Sequence, residues 1–412
     1  MHWGYQLLSL FSNSRNDRVA LAKSKYFEEG VLPTGTVSEQ IFQSWMRCYR
    51  SGALPNSRIE FQPVSASRSQ LSIQKNRALH EAWLLEQVNL LPVTSSSSCS
   101  VVLTDPTGVL IGLTPCSKTD QKIIPVAHRV GISLAEDLVG TTAPGLVART
   151  GMPACVLGPE HYFDSVKEMF CVAAPIRGID GKLAGILDIS SEAAPFSFDP
   201  ASVVGAYASS IENRLLVSQA RNTILLKFQF LHGLLNSPMV GIMGIDQDGY
   251  VQWVNSVANN LLKIPFECSS TKIKVDEIFD LNFTDLLGMI GKDSVLQRLV
   301  NGFSVYMCAD LCDSLAPEKS LHKKFEVEDS RSKNVVDGSP NVSVLSREVF
   351  DNESSRELES FRDSDAELIK KYLLEYKGNI SKVAKRLKVS RGLIYRRIQE
   401  LSIDISAWKS TS

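Results

Sequence analysis

The sequence predicts a multidomain α+β protein: two antiparallel-sheet domains in series, then a small all-α unit at the C-terminal end. Three observations carry this reading. The chain has 412 residues, too many for one ordinary core. Strand–turn–strand patterns built on Asp- and Gly-containing turns recur in two separated regions, around residues 100–190 and 240–255. The last fifty residues switch to helical spacing and to a different charge. The formal net charge is −1, yet Leu368 to Leu401 holds ten Lys or Arg against two Asp or Glu.

The bulk composition, 44% hydrophobic and 22% charged, is that of a soluble globular chain. No run reaches the roughly 18 apolar residues that span a bilayer. The opening "MHWGYQLLSLFSNSRNDR" lacks a basic n-region and a small-residue cleavage site, so no signal peptide and a cytoplasmic location are expected. The eight cysteines show no disulfide framework and are expected as reduced thiols. Cys308 and Cys312 lack the second pair or the histidines of a zinc site, so no metal is expected.

Residues 1–75 form a helical entry region. Within it "QSWMRCYRSGAL" predicts an amphipathic helix with Trp45 buried and Arg47 solvated. The stretch resembles the Ser-Trp-x-Arg-Cys entry of AcoR-type acetoin and glycerol-metabolism regulators. Next comes "VVLTDPTGVLIGL", a strand, an Asp-Pro-Thr-Gly turn and a strand. "LVGTTAPGLVARTGMPACVLGPEHYF" matches that family's Gly-Thr-x-Ala-x-Gly segment and its Glu-His-Tyr/Phe element. "FCVAAPIRGIDGKLAGILDIS" adds a strand, an Asp-Gly hairpin and a strand. Together these motifs resemble a GAF sensory domain over 76–220. The resemblance implies a small-molecule effector, with Thr141, Thr142, His161, Phe170 and Cys171 as candidate ligand contacts. His161 either lines a pocket or fills a satisfied structural position. Cys155 and Cys171 bracket it, which raises a thiol-dependent enzyme as an alternative. Cys171 sits in an apolar strand, however, where a buried, inert thiol is expected, and the chain is read as a non-enzyme.

From Pro200 to Leu235 two apolar stripes keep helical spacing: Val204, Tyr207, Ile211, Leu215, then Ile224, Phe228, Leu231, Leu235. They are expected as helices that pair across a homodimer, with ordinary core packing as the alternative. "MVGIMGIDQDGYVQWVN" then predicts strand, turn, strand, with Asn255 leading into a helix; it resembles the opening of a PAS domain, placed at 221–312. No histidine lies where a haem ligand would be expected within it, so no cofactor is expected.

Residues 313–362 are polar and without periodicity, as in a disordered linker. The family places an ATPase here, which needs a G-x-x-x-x-G-K-[ST] loop. "LLGMIGKDS" has Leu286 for the first glycine and Asp293 after the lysine, so no ATPase is expected.

In 363–412, Ser364 and Glu367 form a capping box ahead of a helix that ends at Gly378. A short helix follows from Ser381 to Leu387 with Val383, Ala384 and Leu387 inward. Ser390 then caps a third, with Ile394, Ile398 and Leu401 on one stripe. Two short helices, the second with a basic outer face, predict a helix-turn-helix. The segment resembles the Fis-type DNA-binding domain, with Lys388 where that family usually has a turn glycine. The expected DNA contacts are Lys382 and Lys385 on phosphates, with Ser390, Arg391, Gly392, Tyr395, Arg396 and Arg397 on the reading helix. The partners implied are a double-stranded operator, a second copy of the chain, a small effector, and RNA polymerase or a paralogous activator, with no membrane. An interaction protein that heterodimerises with an ATP-driven activator is the alternative.

Overall fold

The computed structural model describes residues 14–96, 99–114, 121–266, 268–312, 372–373, 376 and 380–387. Four helices lead in: α1 (Arg15–Glu29), α2 (Glu39–Arg50), α3 (Ala66–Lys75) and α4 (Arg77–Ser96). The first sheet contains β1 (Cys99–Thr104), β2 (Leu110–Leu113), β3 (Ala154–Leu157), β4 (Met169–Arg177) and β5 (Leu183–Glu192). Between β2 and β3 lie three short helices, α5 (Ile124–Ala127), α6 (Glu136–Val139) and α7 (Ala143–Thr150). The long α8 (Pro200–Gln219) joins this to a second sheet of β6 (Thr223–Gln229), β7 (Gly241–Ile245), β8 (Val251–Val254), β9 (Val295–Arg298) and β10 (Ser304–Cys312). Helices α9 (Ser256–Leu262), α10 (Cys268–Thr271) and α11 (Phe283–Met289) sit between β8 and β9.

Both sheets have five strands, all antiparallel, in the orders β2-β1-β5-β4-β3 and β8-β7-β6-β10-β9. In each, two hairpins flank a central strand. That strand is the last of the first sheet and the first of the second. The expected α+β class with two antiparallel sheets is therefore what the chain adopts.

Local chemistry explains the turns. Asp105 Oδ1 accepts from the Thr107 and Val109 amides at 2.8 and 3.0 Å, closing the Asp-Pro-Thr-Gly turn between β1 and β2. Asp246 Oδ1 accepts from Asp248 and Tyr250 at 2.9 and 2.8 Å and does the same between β7 and β8. Asn255 caps α9, its Oδ1 accepting from the Ala258 amide at 2.8 Å and from Ile242 at 2.9 Å.

The first sheet is buried on both faces. One face packs on α4 and α8 through Trp83, Leu90, Val101, Val172, Ile189 and Ile211. The other packs under α1, α2 and α7, where Val19, Ile41, Trp45 and Leu146 share a cluster with Cys171 and Ile186. The lead-in helices thus share the sheet's core. Helix α8 serves both sheets: Val204, Ala208, Ile211 and Leu215 face the first, while Leu216 and the C-cap residue Ala220 cluster with Leu225, Ile242 and Trp253 of the second. Buried Glu212 on α8 ties the two, accepting from the Arg177 amide at 2.8 Å and the Ser256 amide at 2.5 Å.

Two expectations for 200–235 are corrected. The first stripe is helical, but it packs inside the chain and is not free for a partner. The second is not a helix: Thr223–Gln229 is the central strand β6, and Leu231 and Leu235 flank a single 3-10 turn at His232–Leu234. Ile224, Leu226 and Phe228 share one face of β6 and Leu225 fills the other, so Ile224 and Phe228 also stand at helical spacing, which mimics a helix stripe.

Candidate functional site

The side of the first sheet beneath α1 and α2 carries a buried polar row set by strand register. Cys171 on β4 faces Ser190 on β5, which faces Ser100 on β1. Period-2 alternation brings Asp188 to the same face, opposite Ala173 and Val102. All four polar residues are buried. Ser190 Oγ donates to Asp188 Oδ2 at 2.6 Å and contacts Cys171 Sγ at 3.1 Å. Ser100 Oγ lies 2.8 Å from Nδ1 of buried His128. Glu192, next on this face, accepts from the amides of Lys122, Ile123 and Ile124, which pins the start of α5 and so the His128 segment to the sheet.

His161 belongs to the segment that closes the same side. Its Nδ1 lies 2.9 Å from the Gly158 carbonyl, which only accepts, so Nδ1 carries the proton and Nε2 is left as a bare acceptor. Lys23 Nζ donates to the His161 carbonyl at 2.8 Å, and the Trp45 indole donates to the Glu160 carbonyl at 2.8 Å. Two buried polar atoms on this side have no partner: His161 Nε2 and Asp188 Oδ1. Burial pushes the Asp188 carboxyl up to about 7 and the His161 imidazole down to about 4. At neutral pH His161 is uncharged and Asp188 is poised near its midpoint. Burial and the neighbouring Asp188 push the Cys171 thiol well above its ordinary value, so it stays protonated and is a poor nucleophile.

The five sequence-derived ligand candidates separate here. His161 and Cys171 lie on the polar side. Phe170 does not, because it precedes Cys171 on β4 and projects to the opposite face. Thr141 and Thr142 are engaged in structure: Thr141 Oγ1 is 2.7 Å from Ser44 Oγ, and Thr142 caps α7 by accepting from the Gly145 amide at 3.1 Å. Gly140 before them has φ +71°, and a Cβ there would stand 2.8 Å from the Phe163 ring. The expectation of a solvated Arg47 is also corrected. It is half-buried and pairs through two nitrogens with Glu136 at 2.6 and 2.7 Å. Sequence reasoning missed Asp188, Ser190, Ser100 and His128. The available signal was a carboxylate within the apolar strand "AGILDIS".

The C-terminal unit is described through α12 (Ile380–Leu387) and three residues before it. Val383 and Ala384 are buried, as the helix-turn-helix reading expects, and Lys382, Lys385 and Arg386 are exposed. Arg386 stacks over Tyr372 at 5.9 Å from the ring centroid. The Leu387 side chain and Ser390, Arg391, Gly392, Tyr395, Arg396 and Arg397 lie outside the described residues. Among the described residues there is no cluster of His, Cys, Asp or Glu that could hold a metal, and no helix long and apolar enough to cross a membrane.

Comparison with known proteins adds two matches. Residues 16–212 match the family "MimR, N-terminal domain", and residues 360–401 match "Bacterial regulatory protein, Fis family". The chain carries a MimR-type N-terminal domain and a Fis-type helix-turn-helix. Its homologues are AcoR- and MimR-type transcriptional activators. The chain is 28% identical to the acetoin dehydrogenase operon transcriptional activator AcoR of Bacillus subtilis, over 52% of this chain and 36% of that one. It is 26% identical to a signal-transduction and transcriptional-control protein of Clostridium beijerinckii, over 65% of this chain and 41% of that one. With MimR of Mycolicibacterium smegmatis, the propane 2-monooxygenase operon activator, identity is 27% over 47% and 32% of the two chains. The chain thus spans less than half the length of these relatives. Among solved structures, the E. coli DhaR(N)–DhaL complex aligns with 66% of this chain and 99% of that one, at 13% identity and a TM-score of 0.42.

Proposed function

We propose that this chain is a non-enzymatic, cytoplasmic transcription regulator that binds an operator as a pair of copies and is set by a small neutral metabolite held in the first sheet domain. The observation that carries the sensing part is the pair of buried, unpartnered polar atoms, Asp188 Oδ1 and His161 Nε2. Each lacks a hydrogen-bond partner at a cost of about 1–3 kcal/mol, and ligand hydroxyls would supply the donors. A carboxylate or phosphate ligand is disfavoured, because Arg15, Lys23 and Arg47 on this side are already paired with Glu160, Asp164 and Glu136. Hydroxylated or hydroxy-keto compounds of a few carbons fit best. The names of relatives point the same way, since they regulate acetoin dehydrogenase and glycerol metabolism operons.

The test is thermal denaturation of the full chain with neutral C2–C5 diols, polyols and ketols, against the matching carboxylates. A neutral binder at one hundred times its Kd should add about 2.7 kcal/mol and raise the Tm by several degrees. No response to any neutral compound, or response to carboxylates alone, sinks the sensing claim.

Polymerase recruitment or competition with a paralogous activator, without ATP turnover by this chain, completes the proposal. Its DNA part is tested at the reading helix. Arg391→Ala or Arg396→Ala should cost about 1–3 kcal/mol at the operator and relax preference at one base pair per half-site. Lys385→Ala should weaken all sequences alike and reduce the salt slope by about one. Unchanged affinity and preference in both arginine variants would remove this helix as the reader.

A further inference from the structure

We propose that the cleft where the two sheets meet is a second ligand site, one that takes a small organic monocarboxylate. It is separate from the neutral-metabolite site within the first sheet domain. Three segments form it: Ile179 in the β4–β5 hairpin, the link from α8 into β6, and Asp246, Gln252 and Trp253 of the second sheet. Its volume is about 490 Å³, within the range of small-molecule sites.

Two side chains in its wall lack partners. Thr223 and Trp253 are 9 and 3% exposed, and neither the Thr223 hydroxyl nor the Trp253 indole nitrogen has a hydrogen-bond partner. They share a face of the sheet, because Leu225, two residues after Thr223, pairs with Gly244, which pairs with Trp253. Gly244 lets the indole lie across β7, since a Cβ there would collide with the indole nitrogen. An indole nitrogen only donates and a hydroxyl can donate, so the missing group is an acceptor. A buried tryptophan N–H usually finds a partner, and two orphaned donors lining one cleft mark the place of a ligand oxygen.

Charge narrows the class. Arg221 lines the same cleft and is exposed, and its Nη1 donates to the Ser218 and Ala220 carbonyls at 3.0 and 2.9 Å. Among the described residues it pairs with no carboxylate. Its Nε–Nη2 edge presents two N–H groups that match the two oxygens of a carboxylate. Asp246, the other charged residue here, is committed: Oδ1 accepts from the Asp248 and Tyr250 amides, and Oδ2 accepts from Gln252 Nε2 at 2.6 Å. One cation then balances one anion, whereas a phosphate or a dicarboxylate would bring a second negative charge towards Asp246. Ile179 and Trp253 offer an apolar wall for the body of the molecule. Asn222, in the link, has φ +50°, so the chain turns sharply there between α8 and β6. A ligand touching this link and both sheets holds the angle between them.

The experiment is isothermal titration of the full chain with the sodium salts of propionic, butyric, lactic and benzoic acid. The corresponding amides and inorganic phosphate are the controls. At least one carboxylate should bind, and its amide and phosphate should not. Arg221→Gln should weaken that carboxylate by about tenfold or more. Thr223→Val should weaken it severalfold, while the free protein melts no lower than the parent, because an unpartnered hydroxyl has been removed. Asp188→Asn should leave it unchanged, which separates this cleft from the site in the first sheet. The assignment is overturned if no carboxylate binds, if phosphate binds equally well, or if Arg221→Gln keeps the parent's affinity. Failure of the neutral compounds to bind bears on the first-sheet reading alone.

Discussion

At pH 8 the Asp188→Asn variant should be more stable than the parent by about 4 kcal/mol, and at pH 4 the advantage should be gone. The sign follows from burial, which raises the folded-state value of Asp188 from 3.8 to about 7. Between these values the native state holds a proton that the unfolded chain has released. The contribution of Asp188 is fully present below about pH 4, declines by about 1.4 kcal/mol per unit as pH rises to 7, and is flat above. Asparagine keeps the shape without the titration. His128 and His161, both pushed down to about 4, act in the opposite sense, stabilising above 6.5 and losing that contribution as pH falls. They are present in both chains and cancel in the difference. Urea denaturation at half-unit pH intervals measures it, and parallel curves from pH 4 to 8 would show that the carboxyl does not titrate in the fold.

Trp45→Ala should cost about 3–5 kcal/mol. The side chain has no exposed surface, packs in one cluster with Ile41, Val156 and Ile186, and lies 6.1 Å from the Phe27 ring. Its removal leaves a cavity and strips the Glu160 carbonyl of its indole donor. Trp45→Phe keeps most of the volume and loses the donor, so its cost should be smaller, about 1–2 kcal/mol. Because Glu160 precedes His161, both variants should also weaken any ligand-induced rise in Tm. Chemical denaturation separates the two, and a loss below about 1 kcal/mol for alanine would contradict the packing described.

The sequence disclosed what depends on local chemistry. The Asp-Pro-Thr-Gly and Asp-Gln-Asp-Gly turns and the Asn255 cap of α9 are each set by neighbours within a few residues. What it hid depends on register. Ser100, Cys171 and Ser190 come from strands up to ninety residues apart and meet because β1, β4 and β5 pair in one alignment. Phe170 and Cys171 cannot both line one site, because neighbours along a strand project to opposite faces. Strand β6 escaped because Leu225 interrupts its alternation, leaving Ile224 and Phe228 at a spacing that a helix shares.

The position of each central strand has a consequence for synthesis on the ribosome. In the first sheet the middle strand is the last to emerge, so its two hairpins wait, unjoined, until Glu192 has cleared the exit tunnel. In the second sheet Thr223–Gln229 emerges before any of its neighbours and docks beside α8 on a domain already closed. Each later hairpin then adds to an existing edge, β7–β8 to one side and β9–β10 to the other. The second sheet is thus templated by the first, and a fragment begun after Gln229 would make two hairpins with nothing to join them.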